Sequence, residues 1–560
     1  MVKVDWLILI LYFVVVSCYG YWIYKRKKQK EASSADFFIA EGTLTWWAIG
    51  ASLIASNISA EQMTGMSGSG FQLGLAISSY EWMAALTLII VAVFFMPVYL
   101  KNKIFTMPQF LNQRYNSSVA IIMAVFWLLL YIVVNLLSIL YLGAVAIAGI
   151  SGLDFTLCVF LLAIFSIFIA LGGMKVVGYT SAIQVFFLVL SGFIGLYISL
   201  KMIGGKDGMM AGFHILRTEA ADHFHMVFKK DNPNYIDLPG MSVLLGGMWI
   251  ANLNYWGCNE YITQRALGAS LPVARKGILF AAFLKMLMPF IIVVPGITIY
   301  YLNSHNMIDA SLINTTNAKG ETIAESNRAY PALLTLLPAG IKGVTIAAFA
   351  ATVVASLAAK VNSISTIFTL DIYKKVFNKE ASESKLVNMG KMTIIISSAI
   401  GILLTLGLGD ALMGQGKQGF QYIQEYTGFV SPGIFAMFLL GFFWKKTTSN
   451  AALFAMIGGF ILSVLLKFLP GMINLAPLNS VGLAVANAEG VFEIPFLDRM
   501  GIVFLLCMTG MYVISKIENN RGVKPNSLEI DATMFKTSTG FAIGSLIIIG
   551  LLVALYTMFW

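Results

Sequence analysis

The chain has 560 residues, of which 58% are hydrophobic and only 11% charged, and its mean hydropathy is +0.81. These figures exclude a soluble globular domain or a disordered chain and leave a polytopic membrane protein, with no room for a large soluble module. The formal net charge of +10 does not point to nucleic acid, because Lys and Arg sit in short loops between apolar segments, where they orient a membrane protein.

A membrane-spanning helix needs about 20 apolar residues, and that template predicts about fourteen spans. Their approximate cores are 5–24, 45–68, 73–99, 119–147, 153–171, 177–201, 241–259, 277–301, 338–372, 389–408, 420–443, 450–469, 495–516 and 539–559. The first has Lys3 before it and the basic run Lys25, Arg26, Lys27, Lys28 and Lys30 after it. It therefore reads as a span inserted with its N-terminus outside, not as a cleavable signal peptide. Further on, the inside loops are expected to carry Lys101, Lys103 and Arg114, then Arg265, Arg275 and Lys276, then Lys374, Lys375 and Lys379. Lys445 and Lys446, and then Lys516, Arg521 and Lys524, continue the alternation and place both termini outside the cell (inner) membrane. The connections 202–240 and 302–337 read as long outside loops. Cys18, Cys158, Cys258 and Cys507 are dispersed in apolar spans, which implies neither disulfides nor a metal site. No GxxxxGK[ST] loop or HExxH pair is present, so the sequence offers neither a nucleotide-driven pump nor a zinc peptidase. The buried carboxylates lack a nucleophile or metal arrangement, so no enzyme is expected.

Two polar, glycine-containing runs interrupt otherwise apolar spans: Asn57-Ile58-Ser59-Ala60-Glu61-Gln62-Met63-Thr64-Gly65 and Asn252-Leu253-Asn254-Tyr255-Trp256-Gly257-Cys258-Asn259-Glu260. A broken helix at membrane depth is tolerated only where it lines a cavity or is buried in protein, so paired breaks predict a solute site. Spans two to six and seven to eleven each hold five helices opening on such a run. The expected fold is thus all-α with a five-plus-five inverted repeat, the leucine-transporter architecture. On this reading 1–35 is an extra helix with a basic loop, 36–202 the first repeat, 203–240 an extracellular loop, 241–443 the second repeat and 444–560 extra helices.

An ionisable group inside a span usually faces a cavity, and Glu81 is such a group; its bland alternative is a structural acid. Gln62, Asn252 and Gln424 offer donors and acceptors together, which suits a polyol, although each alone reads equally as interhelical hydrogen bonding. Lys285 lies nine residues past Lys276, roughly 13 Å along a helix, too deep for easy snorkelling and well placed to balance Glu81. Tyr255 and Trp256 bring rings that stack on a pyranose and close a path, or simply pack the interior.

The strings Trp46-Trp47-Ala48-Ile49-Gly50-Ala51-Ser52-Leu53-Ile54-Ala55, Asn57-Ile58-Ser59-Ala60-Glu61-Gln62, Gly65-Met66-Ser67-Gly68-Ser69-Gly70 and Ser79-Tyr80-Glu81-Trp82 resemble the sodium:solute symporter family, in particular its sodium/galactose and sodium/glucose members. So do Phe420-Gln421-Tyr422-Ile423-Gln424-Glu425-Tyr426-Thr427 and Gly441-Phe442-Phe443-Trp444-Lys445-Lys446-Thr447-Thr448-Ser449. The resemblance runs nearly end to end. It implies sodium-coupled uptake of a monosaccharide by alternating access, with no other cofactor and no nucleic-acid partner. It places Gln62, Glu81, Asn252, Lys285 and Gln424 at sugar-contacting positions. It makes Tyr255, held near Asn57, an inner gate, and Met66, Tyr80 and Phe420 an outer cover. It assigns sodium to the carbonyls of Ala55, Ile58 and Thr352 and to the Ser356 hydroxyl.

Four positions depart from that pattern. Ala84 stands where the resemblance implies a sugar-touching serine, Ala355 where it implies an ion-binding serine, and Ser181 where it implies an aspartate. Lys360, one turn after Ser356, stands where it implies an uncharged residue. An ammonium can donate to the oxygens a sodium ion would occupy. The alternatives are therefore a sodium-independent or proton-coupled sugar carrier with Lys360 replacing the cation, and a transporter-like sugar sensor or channel. For Lys360 itself the bland alternative is a lysine snorkelling toward Asp371.

Overall fold

A computed structural model describes residues 2–11, 14–15, 18, 45–104, 107–171, 174–259, 269–316, 320–414, 417–487 and 489–560, with backbone alone at 55–56 and 174–185. The basic run at 25–30 and Arg265 lie outside the described residues. Among these, nine helices are long and apolar enough to cross a bilayer. A tenth span follows if the pair Gly419–Thr427 and Ser431–Phe443, bent by 47°, counts as one.

The helices that build the centre are α1 (Trp46–Asn57), α2 (Ser67–Leu73), α3 (Ser79–Ile90), α4 (Ser117–Leu129), α5 (Leu137–Ser151), α6 (Phe155–Leu171) and α7 (Met174–Gly204). They are joined by α8 (Gly208–Glu219), α9 (Gly247–Cys258), α10 (Leu271–Ser304), α11 (Ile341–Thr366), α12 (Glu383–Met413), α13 (Gly419–Thr427) and α14 (Ser431–Phe443). Lipid-facing helices keep apolar side chains on all sides, so burial separates the centre from the periphery. In the span containing α11, 94% of the apolar window is buried, against 22% in α15 (Thr539–Met558). The centre is α11, packed by α5, α6, α7 and α12.

Close backbone approach between α10 and the first broken helix rests on small residues, as in membrane bundles generally. A Cβ at Gly296 would lie 2.1 Å from the Ser67 carbonyl oxygen, and one at Gly50 would lie 2.7 Å from that of Gly277. At another seam, fully buried Arg114 donates to the carbonyls of Gly441 (2.7 Å), Thr447 (2.9 Å) and Trp444 (3.0 Å). That guanidinium satisfies the carbonyls at the end of α14.

The second polar run contains a helix end at Asn259: α9 continues through Cys258 and leaves helical geometry there, with residues 260–268 outside the described set. Asn252 bonds back to the Met248 carbonyl at 3.2 Å, so its amide sits on an intact helix. The connection 202–240 is not only loop, since α8 folds back on α7 so tightly that a Cβ at Gly212 would meet the Leu200 carbonyl oxygen at 1.9 Å. The connection 302–337 contains β1 (Asn314–Thr316) paired antiparallel with β2 (Thr322–Ala324), followed by a helix over Ala329–Thr335.

Candidate functional site

Helix α1 ends because Ile58 turns extended, at φ −71° and ψ 114°. The chain re-enters a wide, π-helical turn at Glu61–Met66 before α2. Ser59 occupies the gap, and its hydroxyl accepts the Glu61 backbone N–H at 3.2 Å, satisfying one amide freed by the break. The first broken helix expected from the sequence is therefore present, and it opens on a cavity.

All five expected sugar-contacting residues, Gln62, Glu81, Asn252, Lys285 and Gln424, line that one cavity. Lys285, on α10 and 1% exposed, donates to Glu81 Oε2 at 2.6 Å and also to Asn57 Oδ1. Asn57 Nδ2 in turn donates to the Tyr255 hydroxyl at 3.1 Å. The Lys285 ammonium also lies 5.2 Å from the Trp256 ring centre, within cation–π range. One polar chain thus ties α3, α10, α1 and α9 together across the floor of the cavity. A buried charge pair persists where further hydrogen bonds support it, and here Asn57 supplies one to the ammonium.

Other groups on the wall have no protein partner. Gln62 Oε1 and the Tyr80 hydroxyl are buried with no hydrogen bond among the described residues. Such groups cost free energy unless something fills them, so they mark where a hydroxylated ligand has most to offer. Tyr80 meets Phe420 edge to face at 5.1 Å, and Tyr255 meets Trp256 edge to face at 5.1 Å; all four rings line the cavity. Met66 is fully buried in the π-helical turn and is not among the residues that line the cavity.

Of the expected ion residues, Ser356 lines the cavity, as does Lys360. Ile58 and Thr352 are buried, and the Thr352 hydroxyl is returned to the Ala348 carbonyl at 2.8 Å. Ala55 contributes only its backbone here, and the Ser181 side chain lies outside the described residues. Lys360 does not reach Asp371, which pairs instead with Lys375 at 2.6 Å across one helical turn. Its ammonium points inward, donating to Asn135 Oδ1 at 3.1 Å and lying 4.4 Å from the Tyr131 ring centre. The carboxylate of Glu61 lines the same cavity.

Sequence reasoning missed Glu61 and Asn135 as parts of this wall, and Ser138 as the hydroxyl behind it that holds Glu61. Glu61 accepts from the Ser138 hydroxyl at 2.5 Å and from the Ser59 hydroxyl at 3.4 Å. The signal was available in two places. Glu61 is a carboxylate inside the broken run beside Gln62, and Asn135 and Ser138 are polar residues three apart in an apolar span, hence on one helical face.

A second charge cluster involves residues near helix ends. Glu425 pairs with Lys467 at 2.6 Å and with Arg499. Asp237, in the connection before α9, accepts from Gln418 Nε2 at 3.4 Å. Burial and the nearby carboxylates of Glu425 and Glu493 push the Asp237 carboxyl up to about 7.

With the geometry in hand, comparison with known proteins decides the lineage: the sequence profile of the Sodium:solute symporter family matches residues 37–459. The chain belongs to that family. It is 43% identical over 559 residues to a sodium/glucose cotransporter of Vibrio parahaemolyticus, covering 100% of this chain and 98% of the relative. It is 33% identical over 475 residues to sodium/myo-inositol cotransporter 2 of Homo sapiens, covering 82% of this chain and 69% of that protein. Among solved structures, the substrate-bound outward-open state of a sodium-coupled sialic acid symporter superposes with a TM-score of 0.72 at 19% identity, over 92% of this chain and 98% of that one. That likeness establishes a shared fold.

Proposed function

We propose that this symporter takes up a monosaccharide of the galactose or glucose type, driven by the sodium gradient, through alternating access of the cavity bounded by α1, α3, α9, α10 and α13. The observation that carries the reading is the Glu81–Lys285–Asn57–Tyr255 chain beside unpartnered Gln62 and Tyr80 atoms. Glu81 accepts from sugar hydroxyls, Lys285 donates to them, and the amides of Gln62, Asn252 and Gln424 do both. Trp256 and Tyr255 supply the stacking face and the floor, with Tyr255 as inner gate held by Asn57. Tyr80 and Phe420 form the outer cover. The names of the sodium/glucose and sodium/myo-inositol relatives support a polyol cargo and a sodium partner.

Sodium as co-substrate is taken up by hard oxygen donors at the first break and on α11: the carbonyls of Ala55, Ile58 and Thr352 and the Ser356 hydroxyl. The architecture that moves both is a five-plus-five inverted repeat over 36–202 and 241–443 in the cell membrane, with both termini outside. Equilibrium binding of labelled galactose and glucose to the purified protein, with sodium present, tests the assignment. Wild type binds one of them saturably, and Gln62→Ala is weakened roughly ten- to a hundredfold, the effect of losing about 1–3 kcal/mol. Unchanged affinity in Gln62→Ala would remove that residue from the site.

A further inference from the structure

Of the two lysines in the cavity, the sugar site accounts for one. Lys285 already has Glu81 and Asn57. Lys360 is separate: it sits on α11, 8% exposed, at the most buried span of the molecule. A charged group at such depth is costly and persists where it answers another charge or serves the translocation path.

The carboxylate that shares its part of the wall is Glu61, from the π-helical turn, and the Tyr131 phenol ring, from the π-helical stretch Leu130–Leu136 that joins α4 to α5, lies 4.4 Å from the ammonium. The Tyr131 hydroxyl is turned away, donating to Asn259 Oδ1 at 3.0 Å, so the ring presents its face to the ammonium. Asn135 links the two: its side chain accepts from Lys360 at 3.1 Å, and its backbone carbonyl accepts at 3.1 Å from the Ser138 hydroxyl, which also donates to Glu61. Ser138 and Ser59 supply hydroxyls to the same carboxylate. The ammonium therefore meets an amide oxygen and an aromatic face, beside a carboxylate that carries two hydroxyls of its own. Those are hard oxygen donors and a π-surface, the groups that also accommodate a small monovalent cation.

Glu61, Ser59, Asn135, Ser356 and Lys360 all line the cavity that holds the sugar-site residues. Any cation entering that cavity meets the field of Glu61, and meets it already answered by a tethered ammonium. We propose that Glu61, with Asn135, Ser59 and Ser138, forms a monovalent-cation site whose resident occupant is the Lys360 ammonium, and that this lysine acts as an intramolecular competitor of a free sodium ion. Sodium affinity is then set by how readily the lysine side chain swings out of the pocket. A tethered ligand competes at an effective concentration fixed by its short linker, in the millimolar range or above, and so weakens a free ion without any change in the site's own chemistry. The inference rests on sodium being the coupled ion for its role in transport, but not for the existence of the site.

The test is direct binding of 22Na+ to the purified protein in lipid nanodiscs at fixed pH, for wild type, Lys360→Met, Lys360→Gln, Lys360→Arg and the double variant Lys360→Met/Glu61→Gln. Lys360→Gln keeps a donor for Asn135 without the charge, and so guards against a folding defect in the methionine variant. Both uncharged variants are expected to bind 22Na+ at least tenfold more tightly than wild type. Lys360→Arg keeps a tethered cation and should stay as weak as wild type, and the double variant should lose the gain. Equal sodium affinity in wild type and both uncharged variants overturns the proposal, as does a gain that survives Glu61→Gln. If wild-type uptake is sodium-driven but the uncharged variants bind sodium as wild type does, this inference fails and the transport reading stands. If uptake ignores sodium while Lys360→Met acquires a sodium site that requires Glu61, the reverse holds.

Discussion

Replacing Glu81 by glutamine removes a charge 2.6 Å from an ammonium that is 1% exposed. Lys285 keeps Asn57 Oδ1 as an acceptor, but its charge is left buried without an anion, the situation that costs about 3–5 kcal/mol when one partner of a buried pair is removed. Lys285→Met strands the Glu81 carboxylate and deprives Asn57 of its donor, so it belongs in the same range. The double variant Glu81→Gln/Lys285→Met leaves no unpaired charge and should recover about 2–3 kcal/mol of the summed loss. That coupling discriminates between mechanisms. An uncharged interhelical hydrogen bond in a membrane protein averages about 0.6 kcal/mol and reaches about 1.7, so a larger value identifies an ion pair. Reversible unfolding of the purified protein by SDS titration measures all three variants, and the readout does not depend on which sugar is carried. Losses that add to within about 0.5 kcal/mol would refute the claim that these residues act as a buried pair.

Two further outcomes follow from the same geometry. Tyr255→Phe keeps the ring 5.1 Å from Trp256 but releases Asn57, so exchange of preloaded sugar should be nearly unchanged; Tyr255→Ala opens the floor and should raise sodium-independent leak several-fold. Equal leak in both variants would assign the gating to the hydroxyl instead. Asp237 has a folded-state carboxyl raised from 3.8 to about 7, so the folded chain binds a proton there more tightly than the unfolded chain does. Its contribution is therefore favourable at low pH and is lost as pH climbs from about 4 through 7. Asp237→Asn should flatten the pH dependence of unfolding in that window and stabilise the protein at pH 8, and an unchanged slope would contradict the assignment.

The fold class was legible because hydropathy alone marks helices that must satisfy their own backbone in lipid. The predicted core 119–147 falls within Ser117–Ser151, and 277–301 falls within Leu271–Ser304. The first break was legible for the same reason: Ser59 stands where the chain must cap an amide it has freed. Where within the second run the helix ends was not legible: Asn252 stays on it, with an i to i−4 side-chain bond that no pattern shows, and the chain turns extended at Asn259. The connections 202–240 and 302–337 were underread because α8 is held by its close approach to α7 and the hairpin β1–β2 is three paired residues a side, too short for a periodic signal. In the site, Glu81, Gln62 and Lys285 stood out as polar groups within apolar sequence. Glu61 did not, because its meaning depends on Lys360, which lies 299 positions away in the chain and shares its cavity only in the folded protein.

The central claim is that this cavity moves a monosaccharide uphill at the expense of a sodium gradient. Labelled galactose and glucose are offered to proteoliposomes carrying an inward sodium gradient, with and without an ionophore that collapses it, for wild type and Glu81→Ala. The account predicts that one sugar accumulates above its external concentration, that the ionophore returns it to equilibrium, and that Glu81→Ala abolishes the saturable component. Equilibration without accumulation, or accumulation that survives Glu81→Ala, would contradict it.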